Sequence, residues 1–188
     1  QVLQTAAVIG KDFAEPILRQ VLGATGRTAL ADGELAPVLE TLKAREFLYE
    51  TALFPVAQYA FKHPLTHEVA LGAQLTTSRR ARHAAVAEAI AATEAERLDE
   101  HAGLLAHHWS EAGEALRAAT WHVRAARWVR NTDVLASRRN WAQARTLLVA
   151  PPESAERTRL LLDVYPELIN MLDRLGADPV ESESVFRE

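Results

Sequence analysis

Cysteine is absent from this chain of 188 residues. Its absence excludes disulfide bridges and thiolate catalysis, and it is typical of proteins that work in a reducing compartment. The sequence also has no apolar run of about 18 residues and no signal-peptide pattern. We therefore expect a cytoplasmic protein that does not enter a membrane.

An excess of basic charge is also missing. The chain has 21 lysines and arginines against 25 aspartates and glutamates, which gives a net charge of −4. Domains whose main task is to hold a phosphate backbone are usually basic. The cluster Arg79, Arg80, Arg82 and His83 could touch nucleic acid, but a solvated helix face is the favoured interpretation. DNA binding is therefore an alternative function and not the first prediction.

Catalytic motifs are a third absence. The sequence has no Gly-rich phosphate loop, no defensible Ser/His/Asp arrangement and no paired carboxylates at a catalytic spacing. His63 and His67 lie four residues apart, but no third metal ligand follows at a convincing spacing. We predict no enzyme, no metal site, and no nucleotide held tightly by this chain alone.

Residues 1–93 show the order of elements of one small domain. Helical and alternating apolar spacings define its elements. They are a helix ending at Gly10, helices over 13–22 and from about 34, strands over 47–51 and 56–62, and helices near 65–75 and 79–93. Three helices followed by a two-stranded hairpin are the order of a winged-helix domain.

Residues 94–188 show a purely helical pattern. Small and large residues alternate on two sides of the segment 115–130, which predicts a helix buried between neighbours. This spacing resembles the tetratricopeptide pattern. Pro151 and Pro152 break the array, and Pro166 should kink or interrupt the last helix. Four tryptophans are predicted as core residues, with a ligand groove lined by them as the alternative. They are Trp109, Trp121, Trp128 and Trp141.

The predicted fold is therefore mainly α. A winged-helix domain with a short β-hairpin over 1–93 precedes a tetratricopeptide-like α-helical solenoid over 94–188. The chain opens at Gln1 inside an apolar helical pattern and closes at Glu188 on what looks like a helix start. We expect a segment of a longer polypeptide that is truncated at both ends.

The most informative stretch is 61–70, where the hairpin runs into a helix. Alternation places Tyr59, Phe61 and His63 on one face of the strand, and Pro64 fits the first position of the helix. His63 is thus predicted at a strand-to-helix junction, facing the same way as two aromatic rings. A partly buried histidine bonded to a backbone carbonyl is the alternative interpretation.

Several segments together resemble one family. They are Leu3–Phe13, Glu46–Tyr49, Tyr59–Leu65, Glu68–Ala70 and Glu100–Trp109. They look like the region after the ATPase core in bacterial signalling proteins of the STAND class, in which a P-loop ATPase module precedes a winged helix and tetratricopeptide-like repeats. Many members also carry a class III adenylate/guanylate cyclase domain, and others carry a DNA-binding domain.

The resemblance implies a role for His63. Its segment is similar to the Met-His-Asp motif of NOD-like receptors and plant resistance proteins, whose histidine reaches the phosphates of ADP in the adjacent ATPase core. His63 matches that histidine, whereas Lys62 replaces the methionine and Pro64 replaces the aspartate. The resemblance thus implies that His63, together with Lys62, senses nucleotide phosphates in a longer protein.

The functional prediction is a non-catalytic regulatory segment. The winged helix would be a nucleotide-state lid on an upstream ATPase core of the same chain, which would hold the ATP or ADP. The repeats would receive a protein or small-molecule ligand. The alternatives are a DNA-reading winged helix of a transcriptional regulator and a segment of an adenylate/guanylate cyclase.

Overall fold

The structure of the protein is a computed structural model. It describes residues 1–26 and 33–175, the last four as backbone only, so the predicted solenoid beyond residue 175 lies outside the described residues. Over these ranges the fold is mainly α-helical with one small antiparallel sheet. The chain divides into two compact units, Gln1–Ala95 and Glu96–Glu188.

The first unit contains five α-helices and three strands within its described residues. In chain order they are α1 Val2–Ile9, β1 Asp12–Ala14, α2 Glu15–Ala24, α3 Leu35–Ala44, β2 Leu48–Ala52, β3 Gln58–Phe61, α4 Pro64–Gly72 and α5 Thr76–Thr93. All strand pairs are antiparallel, and β3 lies between β1 and β2.

Strand β1 corrects the prediction of a helix over 13–22. Phe13 lies opposite Tyr59 in the sheet and its side chain is buried, while the helix begins only at Glu15. A strand of three residues is too short for apolar alternation to reveal it. The nearby Pro16 fits the first turn of α2, which agrees with a helix that begins at Glu15.

The core of the first unit lies between α1, α2 and α5 and one face of the sheet. Apolar side chains from these elements are almost fully buried because their helical and alternating spacing directs them to one side. They include Ala6, Val8, Leu18, Leu22, Phe61, Val86 and Ile90. Phe61 is the last residue of β3 and is buried in this core, so the core holds the junction between β3 and α4 in place.

The second unit is helical throughout its described residues. A 3-10 turn, Ala95–Arg97, precedes α6 Ala102–Ala112, α7 Ala115–Val129, α8 Val134–Val149 and α9 Ala155–Leu175. Helix α6 ends at Gly113, whose φ of 84° is left-handed and suits glycine. Asp133 caps α8 by accepting a hydrogen bond from the Ala136 N–H at 2.8 Å.

Helix α7 contacts α6, α8 and α9. Its small residues Ala119 and Ala126 and the large ring of Trp141 pack together, with Leu148 and Val164 completing the cluster. Close approach through alanine allows α7 to bury two of its sides, as the apolar pattern predicted.

Two expectations about the second unit need correction. Pro166 does not interrupt α9, which runs through it as one helix. Trp128 is 53% exposed, whereas Trp109 and Trp141 are buried and Trp121 is intermediate. Helix α7 enters the core cluster through Ala119, Val123 and Ala126, and Trp128 is not part of that stripe. No helix among the described residues has both the length and the apolarity to cross a bilayer.

Candidate functional site

The junction between β3 and α4 exposes His63. The strand ends at Phe61, and His63 occupies the N-cap position of α4 with extended backbone angles of −129° and 131°. Pro64 opens the helix as predicted, because its fixed φ suits the first turn and its missing N–H costs nothing there. The imidazole is exposed, and within residues 1–26 and 33–175 it has no hydrogen-bond or ion-pair partner.

The histidine that meets the aromatic rings is His67, and the prediction for His63 was wrong on this point. The His67 ring lies edge-on to Phe61 with 5.0 Å between centroids, and Phe61 in turn contacts Phe13 at 6.2 Å. Its Nε2 lies 3.0 Å from the carbonyl oxygen of Ala7. Since a carbonyl only accepts, Nε2 must carry the hydrogen.

This bond has a structural reason that the sequence contained. The last four carbonyls of a helix have no partner within it, and α1 ends at Ile9. His67 therefore satisfies a carbonyl in the last turn of α1. The sequence signal for this contact was Gly10, which ends α1 early and leaves its last carbonyls without helical partners.

Lys62 is held beside His63 by Glu46. Its ammonium nitrogen lies 2.6 Å from Glu46 Oε1, and its backbone N–H donates to the Phe47 carbonyl at 3.0 Å. The hydrogen bond from Lys62 lowers the pKa of the Glu46 carboxyl, and the charge of His63 lowers it further. Both side chains are exposed, so the pair adds little stability.

Three donor groups follow one another in the chain around the start of α4. They are the Lys62 ammonium, the His63 ring and the backbone N–H of Leu65. Thr66 and His67 give their N–H groups to the His63 carbonyl at 3.0 and 3.4 Å, and Pro64 has none, which leaves the Leu65 N–H without a helical partner. The positive end of the helix dipole adds to their field. Such an arrangement suits a phosphate or another compact anion.

An apolar groove of about 510 Å³ lies along α4 and includes Leu65 in its lining. Leu3, Phe47, Leu65, Val69 and Ala73 line it. Leu65 is 67% exposed and Val69 is 61% exposed, although both lie on one face of α4. An exposed aliphatic face beside unsatisfied polar groups is typical of a surface that a partner covers.

Part of the basic charge that suggested DNA binding is paired within the first unit. On α3, Lys43 is hydrogen-bonded to Glu40 at 2.9 Å and to Glu50 at 2.8 Å, and these carboxylates raise the pKa of Lys43. In the cluster 79–83, Arg82 donates to the Gln74 side chain at 2.7 Å and His83 is buried. Arg80 of the same cluster is exposed, so these contacts reduce the free basic charge of the first unit without removing it.

The second unit contains a Ser–His–Asn arrangement that the sequence did not reveal. His122 Nδ1 lies 2.8 Å from Asn140 Oδ1, and His122 Nε2 lies 3.5 Å from Ser110 Oγ. Burial lowers the pKa of His122. Ser110 donates to the Ala106 carbonyl and lies in the last turn of α6, where the dipole opposes an oxyanion. These contacts link α6, α7 and α8, and they lack the electrostatics of a hydrolase.

The chain matches no protein-family model, no curated protein and no solved structure.

Proposed function

We propose that the chain is a non-catalytic regulatory segment of a STAND-class signalling ATPase. Its first unit is a winged helix that closes over an ATPase core as a nucleotide-state lid, and its second unit is a tetratricopeptide-like solenoid that receives a protein or small-molecule ligand. One observation carries the proposal. His63 is exposed and unbonded within the described ranges, at a junction that the buried Phe61 and the bonded His67 hold in place.

The topology of the first unit supports the winged helix. Three helices precede the hairpin of β2 and β3, and β1 joins the sheet as a third strand beside β3. In this arrangement α3 leads directly into the hairpin, and β3 leads directly into α4. His63 therefore lies between the end of the hairpin and the start of α4, where it is exposed.

The groove along α4 supports a lid. Leu65 and Val69 leave an apolar strip on α4 that the first unit does not cover. Docking on a neighbouring domain would bury this strip and bring the donors of Lys62, His63 and Leu65 against that domain. An anion held there would then meet donors in a desolvated site, where each hydrogen bond is stronger than in water.

The packing of the second unit supports the solenoid. Consecutive helices α6 to α9 pack against one another, and α7 also reaches α9. Short connections join α6 to α7 and α7 to α8. Such stacks expose extended surfaces for ligands.

The test is ADP binding by the full-length polypeptide. A charged hydrogen bond to phosphate contributes about 1.5–3 kcal/mol, so we expect His63→Ala to raise the Kd for ADP about tenfold or more. His107→Ala, another exposed histidine, is the matched control and should leave the Kd unchanged. An unchanged Kd in His63→Ala, or an upstream sequence without a P-loop, would contradict the proposal.

A further inference from the structure

Helix α8 of the second unit has two sides of opposite character. One side is buried, and its residues are Ser137, Trp141, Ala144 and Leu148. On the other side Leu135 is 58% exposed and Val149 is 67% exposed, and Ala142 between them is exposed as well. These three residues recur at every seventh position, so they form one line along the helix. We call this line the α8 strip.

The α8 strip lies in a strongly basic part of the chain. Residues 115–150 include seven arginines, no lysine and one acidic residue, although the whole chain has a net charge of −4. Arg138 and Arg139 lie three and four residues after the first position of the strip, and Arg145 lies three residues after the second. Side chains at these spacings are neighbours on a helix surface. Arginines therefore flank the strip on both sides.

The arginines of α7 and α8 differ in their partners. On α7, Arg127 pairs with Asp163 of α9 at 3.1 Å. On α8, Arg139 is exposed, and neither Arg139 nor Arg145 has a hydrogen bond or an ion pair among the described residues. The fold thus leaves positive charge without a counter-charge beside the strip. A partner that covers the strip matches this surface when it supplies carboxylates.

The buried side of α8 holds the strip in a fixed position. Ser137 Oγ donates to the Ala126 carbonyl at 2.8 Å, and the Trp141 ring is 1% exposed. Asp133 caps the first turn of the helix. Because the helix is already ordered, a partner that binds to it does not have to order it.

The shape of the strip suits a facing helix. The methyl group of Ala142 is smaller than the side chains of Leu135 and Val149, which leaves a recess between them. A large apolar side chain of a facing helix fits a hole of this kind. The strip is about 21 Å long at 1.5 Å per residue, which is the length of about four helical turns.

We propose that the α8 strip binds an acidic amphipathic helix of a partner protein. An apolar side chain of that helix occupies the recess at Ala142, and its carboxylates face Arg139 and Arg145. A phosphate backbone would match the arginines and leave the apolar strip unused, and a bilayer surface suits a wider apolar face. The inference rests on the second unit's part in the proposed function, because it names the class of protein that the unit receives.

The experiment is a fluorescence anisotropy titration of this chain with a labelled helical peptide of about 18 residues. The peptide carries leucines on one face and glutamates beside them, and a scrambled peptide of equal composition is the reference. Ala142→Gln fills the recess with a good helix former and should raise the peptide Kd about tenfold. Arg139→Glu should raise it about fivefold. Circular dichroism spectra identical to wild type show that both variants fold.

The matched control is Arg159→Glu. Arg159 lies on α9, is exposed and has no hydrogen bond or ion pair among the described residues, so its substitution should leave the peptide Kd unchanged. Equal Kd values for the acidic and scrambled peptides, or equal losses in Arg139→Glu and Arg159→Glu, overturn the assignment of the α8 strip.

Other occupants of the strip have their own readouts, and each of them also overturns the acidic helix. A nucleic acid is indicated if a single-stranded oligonucleotide binds more tightly than the peptide and Ala142→Gln leaves its Kd unchanged. A lipid surface is indicated if Arg139→Glu abolishes co-sedimentation with phosphatidylserine vesicles. A second copy is indicated if the chain dimerises in size-exclusion chromatography and Ala142→Gln makes it monomeric.

The lid and the α8 strip can fail separately. Selective peptide binding by this chain, with an unchanged Kd for ADP in full-length His63→Ala, removes the lid and retains the α8 strip. A raised Kd for ADP in His63→Ala, with no selective peptide binding, removes the α8 strip and retains the lid.

Discussion

His67 and His63 lie four residues apart, but substitution by alanine should affect the stability of the first unit very differently at the two positions. His67→Ala removes the hydrogen bond to the Ala7 carbonyl and the edge contact with Phe61. The hydrogen bond contributes about 1 kcal/mol and the ring contact about 0.5–1 kcal/mol. We therefore expect His67→Ala to destabilise the first unit by about 2 kcal/mol.

His63→Ala removes an exposed ring that has no bonded partner within the described ranges. A surface substitution of this type changes the free energy of unfolding by no more than about 0.5 kcal/mol. The two variants therefore separate a structural histidine from one that is available for function.

The assay is amide hydrogen exchange over Val2–Ile9. In His67→Ala the last turn of this helix loses the hydrogen bond that the His67 ring donates to the Ala7 carbonyl. A loss of about 2 kcal/mol should raise the exchange rates of protected α1 amides about thirtyfold in His67→Ala. Tryptophan fluorescence is an internal control, since all four tryptophans lie in the second unit. Equal effects of the two substitutions on α1 would refute the assignment of His67 as structural and His63 as free.

Three further predictions concern the second unit. Trp141→Ala should destabilise it by about 3–5 kcal/mol in urea titrations followed by circular dichroism, because the ring is 1% exposed, whereas Trp128→Ala at a 53% exposed site should change little. Burial lowers the pKa of His122 below its unfolded value near 6.5, so the unfolded chain binds the proton more readily. Stability should therefore be complete above about pH 7 and fall as the pH drops towards 5, and His122→Gln should flatten this slope in thermal melts. Asp133→Ala should cost about 1 kcal/mol and increase hydrogen exchange in the first turn of α8, because the bond to the Ala136 N–H is lost.

Local chemistry allowed much of the first unit to be predicted. Gly10 ends α1, and Pro64 opens α4. Each of these helix ends depends on the backbone conformation that a single glycine or proline adopts. The sequence alone is therefore sufficient to predict it. In the second unit, the turn at Gly113 and the break after Val149 follow for the same reason.

Features that depend on a distant partner could not be predicted. Strand β1 exists because Asp12–Ala14 pairs with β3, and three residues carry no periodicity of their own. The position of the His67 ring depends on its hydrogen bond to the Ala7 carbonyl, which lies sixty residues earlier in the chain. Pro166 is tolerated within α9 although its ring removes a helical hydrogen bond. The left-handed backbone of Glu46 accompanies the hydrogen bonds that end α3, from the Glu46 N–H to the Lys43 carbonyl and from the Phe47 N–H to the Leu42 carbonyl.

The most direct test of the proposed lid is one distance in an ADP-bound structure of the full-length polypeptide. The distance runs from the His63 ring nitrogens to the nearest phosphate oxygen. We predict a hydrogen bond of about 2.7–3.2 Å, with the apolar face of Leu65 and Val69 covered by the nucleotide-binding domain. A His63 ring that still faces solvent while ADP is bound would contradict the account.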